Sequence, residues 1–107
     1  MRIQTKRLRY SDTELVAFKR LIEKRIHTTQ FVLAYLESLP STNENDLQIL
    51  KQTSNLEALM QALKRIDTRR YGICTQTGQL IDKRYLKIVP FITTVSETTS
   101  LKNLINS

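Results

Sequence analysis

From residue 11 onward the chain keeps a helical rhythm. Leu15, Phe18, Ile22, Val32, Leu36 and Leu39 recur at steps of three and four, and Leu21, Ile26, Phe31 and Leu33 widen the stripe. Apolar residues at that spacing line one side of an α-helix. Arg25 and Thr29 interrupt the stripe in its middle. Ser11-Asp12-Thr13-Glu14 is a capping box at the start, in which the serine hydroxyl and the glutamate carboxylate each satisfy a backbone N–H. Pro40 ends the run, because the residue before a proline is pushed out of the helical region. The predicted helix is about 28 residues long. STNEND then reads as a polar turn, with Ser41 and Glu44 as a second candidate capping box. Leu47, Leu50, Leu56, Leu59, Leu63 and Ile66 predict a second helix over roughly residues 44–69. Each helix is about 40 Å long at 1.5 Å per residue, and so short a connection makes the pair antiparallel. Beyond Ile66 the period fades. Residues 71–95 predict a compact turn-rich unit with Ile73, Leu80, Ile81, Leu86, Ile88 and Phe91 as its small core and a short hairpin around Gly78. The tail SETTSLKNLINS predicts a short helix through Leu101, Leu104 and Ile105. The fold class expected is mainly α. A basic arm and a coiled-coil-like antiparallel helical hairpin occupy 1–70, and the small unit with its short C-terminal helix occupies 71–107.

Composition agrees and narrows the function. The chain has 107 residues, 40% of them apolar, with two Gly, two Pro and no Trp. A single domain of that size buries a modest core. One cysteine excludes an internal disulfide framework and fits a reducing cytoplasm. No apolar run approaches the roughly 18 residues of a membrane span, and the basic start lacks the apolar segment of a signal peptide. One His, one Cys and no phosphate-cradling glycine loop leave no nucleophile–base pair, so no enzymatic activity is expected.

Net charge is +7, and its placement says more than its size. Residues 1–9 hold four cations and no acid, residues 41–63 are net −2, and residues 64–90 are net +5. Folding the hairpin gathers Lys6, Arg7 and Arg9 beside Lys64, Arg65, Arg69 and Arg70 at its open end. The closed tip carries Glu37, Glu44 and Asp46. A basic base of this kind can meet an acidic protein surface or neutralise phosphates. Tyr10, Tyr71 and Tyr85 lie beside basic residues and could stack on bases, so nucleic acid is one candidate partner. A helical interaction module that dimerises through the apolar stripe is another, although Arg25, Thr29 and Thr53 break a continuous coiled coil.

The stretch 71-YGICTQTGQLID-82 has the rhythm of half a four-cysteine zinc knuckle, yet Thr77 stands where the second cysteine is expected. ALKRIDTRRYGIC followed by TGQLIDKRYLKIVPFITT, over residues 62–94, resembles the C-terminal region of the DksA/TraR family. The opening RYSDTELVAFKRLIEK is similar to the first helix of Bacteroidetes members. In zinc-bearing members the ligands are two Cys-x-x-Cys pairs. The resemblance places those positions at Cys74, Thr77, Val95 and Thr98, of which only the first is a cysteine. A structural zinc needs four N/S ligands, and His27, on the first helix, is too remote to complete a set. The resemblance therefore implies a knuckle that keeps its fold without metal and needs no cofactor. Gly72 and Gly78 make its turns, Val95 joins the core, and Cys74 is a buried thiol.

The family resemblance also implies a role. Its members regulate transcription in the stress response by binding RNA polymerase, with the hairpin in the secondary channel. The alarmone ppGpp acts with them in the complex with polymerase. By position, Glu44 and Asp46 are the tip carboxylates, and Arg69, Arg70, Lys83, Arg84 and Lys87 are the contacts to the channel rim. This chain departs from the family in two respects. Its tip reads Asn43-Glu44-Asn45-Asp46 in place of two aspartates spaced three apart with a nearby alanine, and its hairpin is short. Glu44 and Asp46 equally suit the first turn of a helix, where acids complement the dipole.

Overall fold

The structure, a computed structural model, describes residues 7–102. Lys6, Leu104 and Ile105 lie outside them. Helix α1 (Asp12–Ser38) and helix α2 (Asn43–Asp67) pack as an antiparallel hairpin. Helix α3 (Lys83–Ile88) and a 3₁₀ helix over Val95–Leu101 follow. No strand forms among the described residues. The hairpin expected around Gly78 is reduced to a single antiparallel bridge between Ile73 and Leu80, flanked by hydrogen bonds from Cys74 N to Gln79 O and Ile81 N to Gly72 O. The molecule measures 66 × 29 × 24 Å.

Local chemistry sets the helix ends. At α1 both halves of the capping box form: Glu14 N donates to Ser11 Oγ at 3.2 Å, and Ser11 N donates to Glu14 Oε1 at 3.0 Å. At α2 the cap lies one residue beyond Ser41. Thr42 is extended and accepts from Asn45 N at 3.1 Å, while Ser41 turns its hydroxyl to the Asp46 carboxylate at 3.0 Å. Asn45 Nδ2 donates to Pro40 O at 2.8 Å and ties the turn shut. The polar breaks in the α1 stripe have structural work. Arg25 donates to Lys87 O and Ile88 O, capping the end of α3, and Thr29 returns its hydroxyl to Arg25 O at 2.8 Å.

One core fills the open end of the hairpin and runs across residue 70 into the C-terminal unit. Leu15, Phe18 and Ile22 of α1 meet Leu59, Ala62 and Ile66 of α2, and both meet Tyr10, Tyr71, Cys74, Ile81, Leu86 and Ile92. Phe18 sits between two tyrosine rings, with centroids 5.3 Å from Tyr10 and 5.1 Å from Tyr71, a spacing at which aromatic rings attract beyond simple area burial. Both tyrosine hydroxyls are satisfied inside, Tyr10 by Ile81 O and Tyr71 by Pro90 O. The core stops at Thr29 and Leu59. Toward the tip, no described apolar side chain is fully buried, and Phe31, Leu47 and Leu50 stand 77%, 65% and 67% exposed. Their spacing marks helix correctly, but the distal seam is lined by half-buried Val32, Leu36, Leu39, Ile49 and Leu56, and Leu50 is turned roughly 180° from Leu59 and Phe31 roughly 200° from Thr29.

Candidate functional site

The base is organised by two acids in the first turn of α1. The Glu14 carboxylate receives the Arg7 guanidinium, the Ser11 amide and, at 3.9 Å, Lys83 Nζ. Asp12 Oδ1 receives Arg9 at 3.2 Å and Arg69 at 3.1 Å. Four cations from three parts of the chain thus converge on one helix start, with Arg7 also lying 5.4 Å from the Tyr10 ring centre. The hydrogen bond from Arg7, followed by the Ser11 amide, lowers the Glu14 carboxyl to about 2. Arg69, then Arg9, lowers Asp12. The Glu14 value lies below the ordinary carboxylate range, so its stabilisation is complete above about pH 4.5 and is lost as the pH falls toward 2, and Asp12 acts in the same direction. Glu14→Gln is expected to flatten the fall of stability between about pH 5 and 2, measured by urea unfolding across that range. An unchanged pH profile would show that Glu14 is not the coupled group.

Arg69 has a further cost. It follows the end of α2 with φ 60°, the left-handed region, where Arg70 N and Tyr71 N both close on Arg65 O at 2.8 and 3.1 Å. Glycine usually holds this place. Here an arginine does, and its guanidinium crosses to Asp12.

The structure therefore brings Arg69 and Lys83, two of the five rim residues expected, to the α1 start, with Arg70 and Arg84 beside them in sequence. Lys83 and Arg69 are engaged with Glu14 and Asp12, and Arg84 pairs with Asp82 at 2.9 Å while Asp82 caps α3. Arg70 and Lys87 are exposed and form no ion pair within the described residues. Arg65, by contrast, is spent internally, donating to Ile73 O at 2.8 Å. Sequence reasoning missed Asp12 and Glu14 as the organisers. Their capping pattern was visible, but their partners at positions 69 and 83 were not.

At the tip, Glu44 and Asp46 occupy the first turn of α2. Asp46 is bound to Ser41, whereas the Glu44 carboxylate is exposed and has no hydrogen-bond or ion-pair partner among the described residues. As first-turn acids both complement the helix dipole.

The turn brings Val95 to the Cys74 sulfur and ties Thr98 to Val95. Val95 N donates to Cys74 Sγ at 3.3 Å, Thr98 Oγ1 donates to Val95 O at 2.6 Å, and Thr77 Oγ1 accepts from Gln79 N at 3.2 Å. Cys74 is 2% exposed and Thr98 4%, while Val95 is half-buried against the core. Hydrogen bonding by Thr77 first, opposed by burial and aided by the amides of Val95, Thr77 and Gln76, lowers the thiol to about 7. Gly78 N closes the turn on Cys74 O at 2.9 Å. One thiol, two hydroxyls and a valine do not fit a structural zinc. No described cluster of three or more His, Cys, Asp or Glu side chains is placed to hold a metal ion.

The tyrosines expected to stack on bases are differently used. Tyr10 and Tyr71 are 3% and 2% exposed, with burial holding both phenols well above their ordinary value, Tyr10 at about 12. Tyr85 is half-buried. The basic residues beside them in sequence are at the surface, but the rings are core. No described helix is long and apolar enough to cross a membrane.

The fold is thus a capped helical hairpin rising from a cationic, knuckle-based unit. No family model and no curated protein matches the chain. Among solved structures, transcription factor DksA2 from Pseudomonas aeruginosa is similar to it at 21% identity and a TM-score of 0.44, over 89% of this chain and 81% of that one. So distant a likeness says nothing of this chain's own residues.

Proposed function

We propose that this protein is a cytoplasmic transcription regulator that binds RNA polymerase by placing its hairpin in the secondary channel, with no catalytic activity and no resident cofactor. The observation that carries the reading is the hairpin itself. It projects past the last core residues, Thr29 and Leu59, and ends on an unpaired carboxylate, Glu44. The sequence resemblance of residues 62–94 and the retained knuckle turn support the same reading. An acidic probe suits a positively polarised channel, and the exposed Arg70 and Lys87 suit an acidic rim. Burial of Tyr10 and Tyr71 leaves only the half-buried Tyr85 of the three rings that base stacking called for.

The test is binding to purified RNA polymerase from the same organism, with an established secondary-channel factor as competitor. Competition is expected. Glu44→Lys is expected to weaken binding about tenfold if the tip is seated among cations, since a reversed charge at a buried pair costs a kcal/mol or more. Binding without competition would move the site outside the channel. Absence of binding would overturn the polymerase reading altogether.

A further inference from the structure

The turn that ends α2 folds the chain back on itself. Arg69 takes the left-handed conformation, and the amides of Arg70 and Tyr71 close on Arg65 O at 2.8 and 3.1 Å. Two arginines are thereby set on one cleft between the end of α2 and the knuckle. The cleft has a volume of about 600 Å³ and is lined by Arg65, Arg70, Ile73, Cys74, Thr75 and Gly78, with no carboxylate among them. Elsewhere at the base acids match the cations: Glu14 holds Arg7 and Lys83, Asp12 holds Arg9 and Arg69, and Asp82 holds Arg84. Arg65 and Arg70 have no ion-pair partner among the described residues. Arg65 gives its Nη2 to the carbonyls of Arg70 and Ile73, at 3.4 and 2.8 Å. Those bonds hold its guanidinium at the wall and leave Nη1 and Nε without a hydrogen-bond partner among the described residues. Thr75 turns both its amide and its hydroxyl to Thr93 O, so the two arginines are the side chains with donors left to receive a ligand.

We propose that this cleft binds a small phosphorylated molecule, held by Arg65 and Arg70 together. Two like charges that share a cleft without an acid repel each other, and a doubly charged oxyanion relieves both. A guanidinium presents its donors as a planar fork that matches phosphate oxygens in pairs. Arg65 is already positioned by its two carbonyl bonds, so it loses little freedom when it takes a further partner. The cleft falls in the size range of small-molecule sites and exceeds a bare phosphate. Ile73 and Cys74 give its wall an apolar part, against which the rest of the ligand packs. A phosphate monoester with a small organic body therefore fits better than the free ion. The inference goes beyond the polymerase reading and does not rest on it. An acidic channel rim would compete with the ligand for Arg70, so the site is tested in the free protein.

The experiment titrates the protein alone, in chloride buffer, with inorganic phosphate and with glycerol phosphate, followed by calorimetry and by amide NMR. Saturable binding is expected, tighter for the monoester, with shifts centred on the amides of Ile73, Thr75 and Gly78. Arg70→Gln is expected to raise the Kd about tenfold or more, the loss of a hydrogen bond to a charged group. It is expected to keep the wild-type unfolding temperature, because the Arg70 side chain is exposed. Lys87→Gln removes the same charge from an exposed position outside the cleft and is expected to leave the Kd unchanged. Tighter binding of inorganic phosphate, with the same response to the variants, keeps the site and assigns it to the free ion. Equal losses in the two variants would show attraction to net charge and overturn the proposal. So would the absence of saturable binding, or binding that Arg70→Gln does not weaken. None of these outcomes bears on the polymerase reading, whose test is competition for the channel.

Discussion

Gly72→Ala is expected to lower stability by about 3 kcal/mol, and Gly78→Ala by only about 1. Both glycines sit in the left-handed region, at φ 79° and 73°, so any side chain costs roughly 1 kcal/mol at either place. The difference lies in the surroundings. A methyl group at Gly72 meets Tyr10 ring carbons at 2.5 and 2.7 Å and Leu86 Cδ1 at 3.3 Å, whereas one at Gly78 meets nothing within 4 Å. The Tyr10 ring cannot retreat cheaply. It packs edge-on against Phe18, its hydroxyl is held by Ile81 O, and it is 3% exposed. Overpacking a closed core of this kind adds roughly 1–3 kcal/mol. The midpoint of thermal unfolding is then expected to fall by about 10–20 °C for Gly72→Ala and by about 5 °C for Gly78→Ala. Equal effects of the two substitutions would show that Tyr10 does not press on Gly72.

The second large effect concerns the knuckle. The triple variant Thr77→Cys/Val95→Cys/Thr98→Cys, with Cys74 kept, is expected to bind one zinc per chain and to unfold at a markedly higher temperature with metal than after chelation. Tetrahedral thiolate ligation at about 2.3 Å from the metal needs sulfurs about 3.8 Å apart. Position 95 already touches the Cys74 sulfur through its amide, position 77 lies three residues on in the same turn, which Gly78 N closes on Cys74 O, and Thr98 is bonded to Val95 O. Thr77 contributes most to lowering the Cys74 thiol and is replaced in this variant, but the amides of Val95, Thr77 and Gln76 also lower it and so favour the thiolate a metal requires. Structural zinc sites supply on the order of 10 kcal/mol of apparent binding free energy in small domains, so even a strained version gives a large thermal shift. Elemental analysis after dialysis decides the matter. A folded triple variant without zinc would mean that the four positions do not surround one point.

The sequence made some of these features legible and hid others for identifiable reasons. The start of α1 could be read because a capping box is local: Ser11 and Glu14 are three residues apart and interact with each other. The start of α2 shifted to Thr42 because Ser41 and Thr42 are both competent caps, and Asp46 drew the serine hydroxyl away. Spacing placed Leu56, Leu59, Leu63 and Ile66 on the seam correctly but took Leu47 and Leu50 with them. Extending the Leu59 and Ile66 face back toward the tip lands on Gln52 and Asn55, a polar pair that was in view and leaves Leu47 and Leu50 outside. Helix α3, six residues long, is too short for periodicity, and its one signal was Asp82 ahead of it. At the candidate site the cations were evident, but their acids were not. Asp12 and Arg69 are 57 residues apart, as are no residues that a pattern search compares. Likewise the tyrosines were judged by their charged neighbours in sequence, while the chain had placed their rings around Phe18.

The end of the core at Thr29 and Leu59 has an evolutionary consequence. What lies beyond it is held by helix propensity, the Thr42 cap, the tied turn and a half-buried seam that includes Val32, Leu36, Leu39, Ile49 and Leu56. Selection can therefore lengthen or trim the hairpin in whole turns, about 10 Å of reach for every seven residues added to each helix, without retuning the packing below. Hairpin length becomes a trait that drifts independently of the packing of the base, and a chain on this plan can change how far its tip reaches while keeping the part that folds.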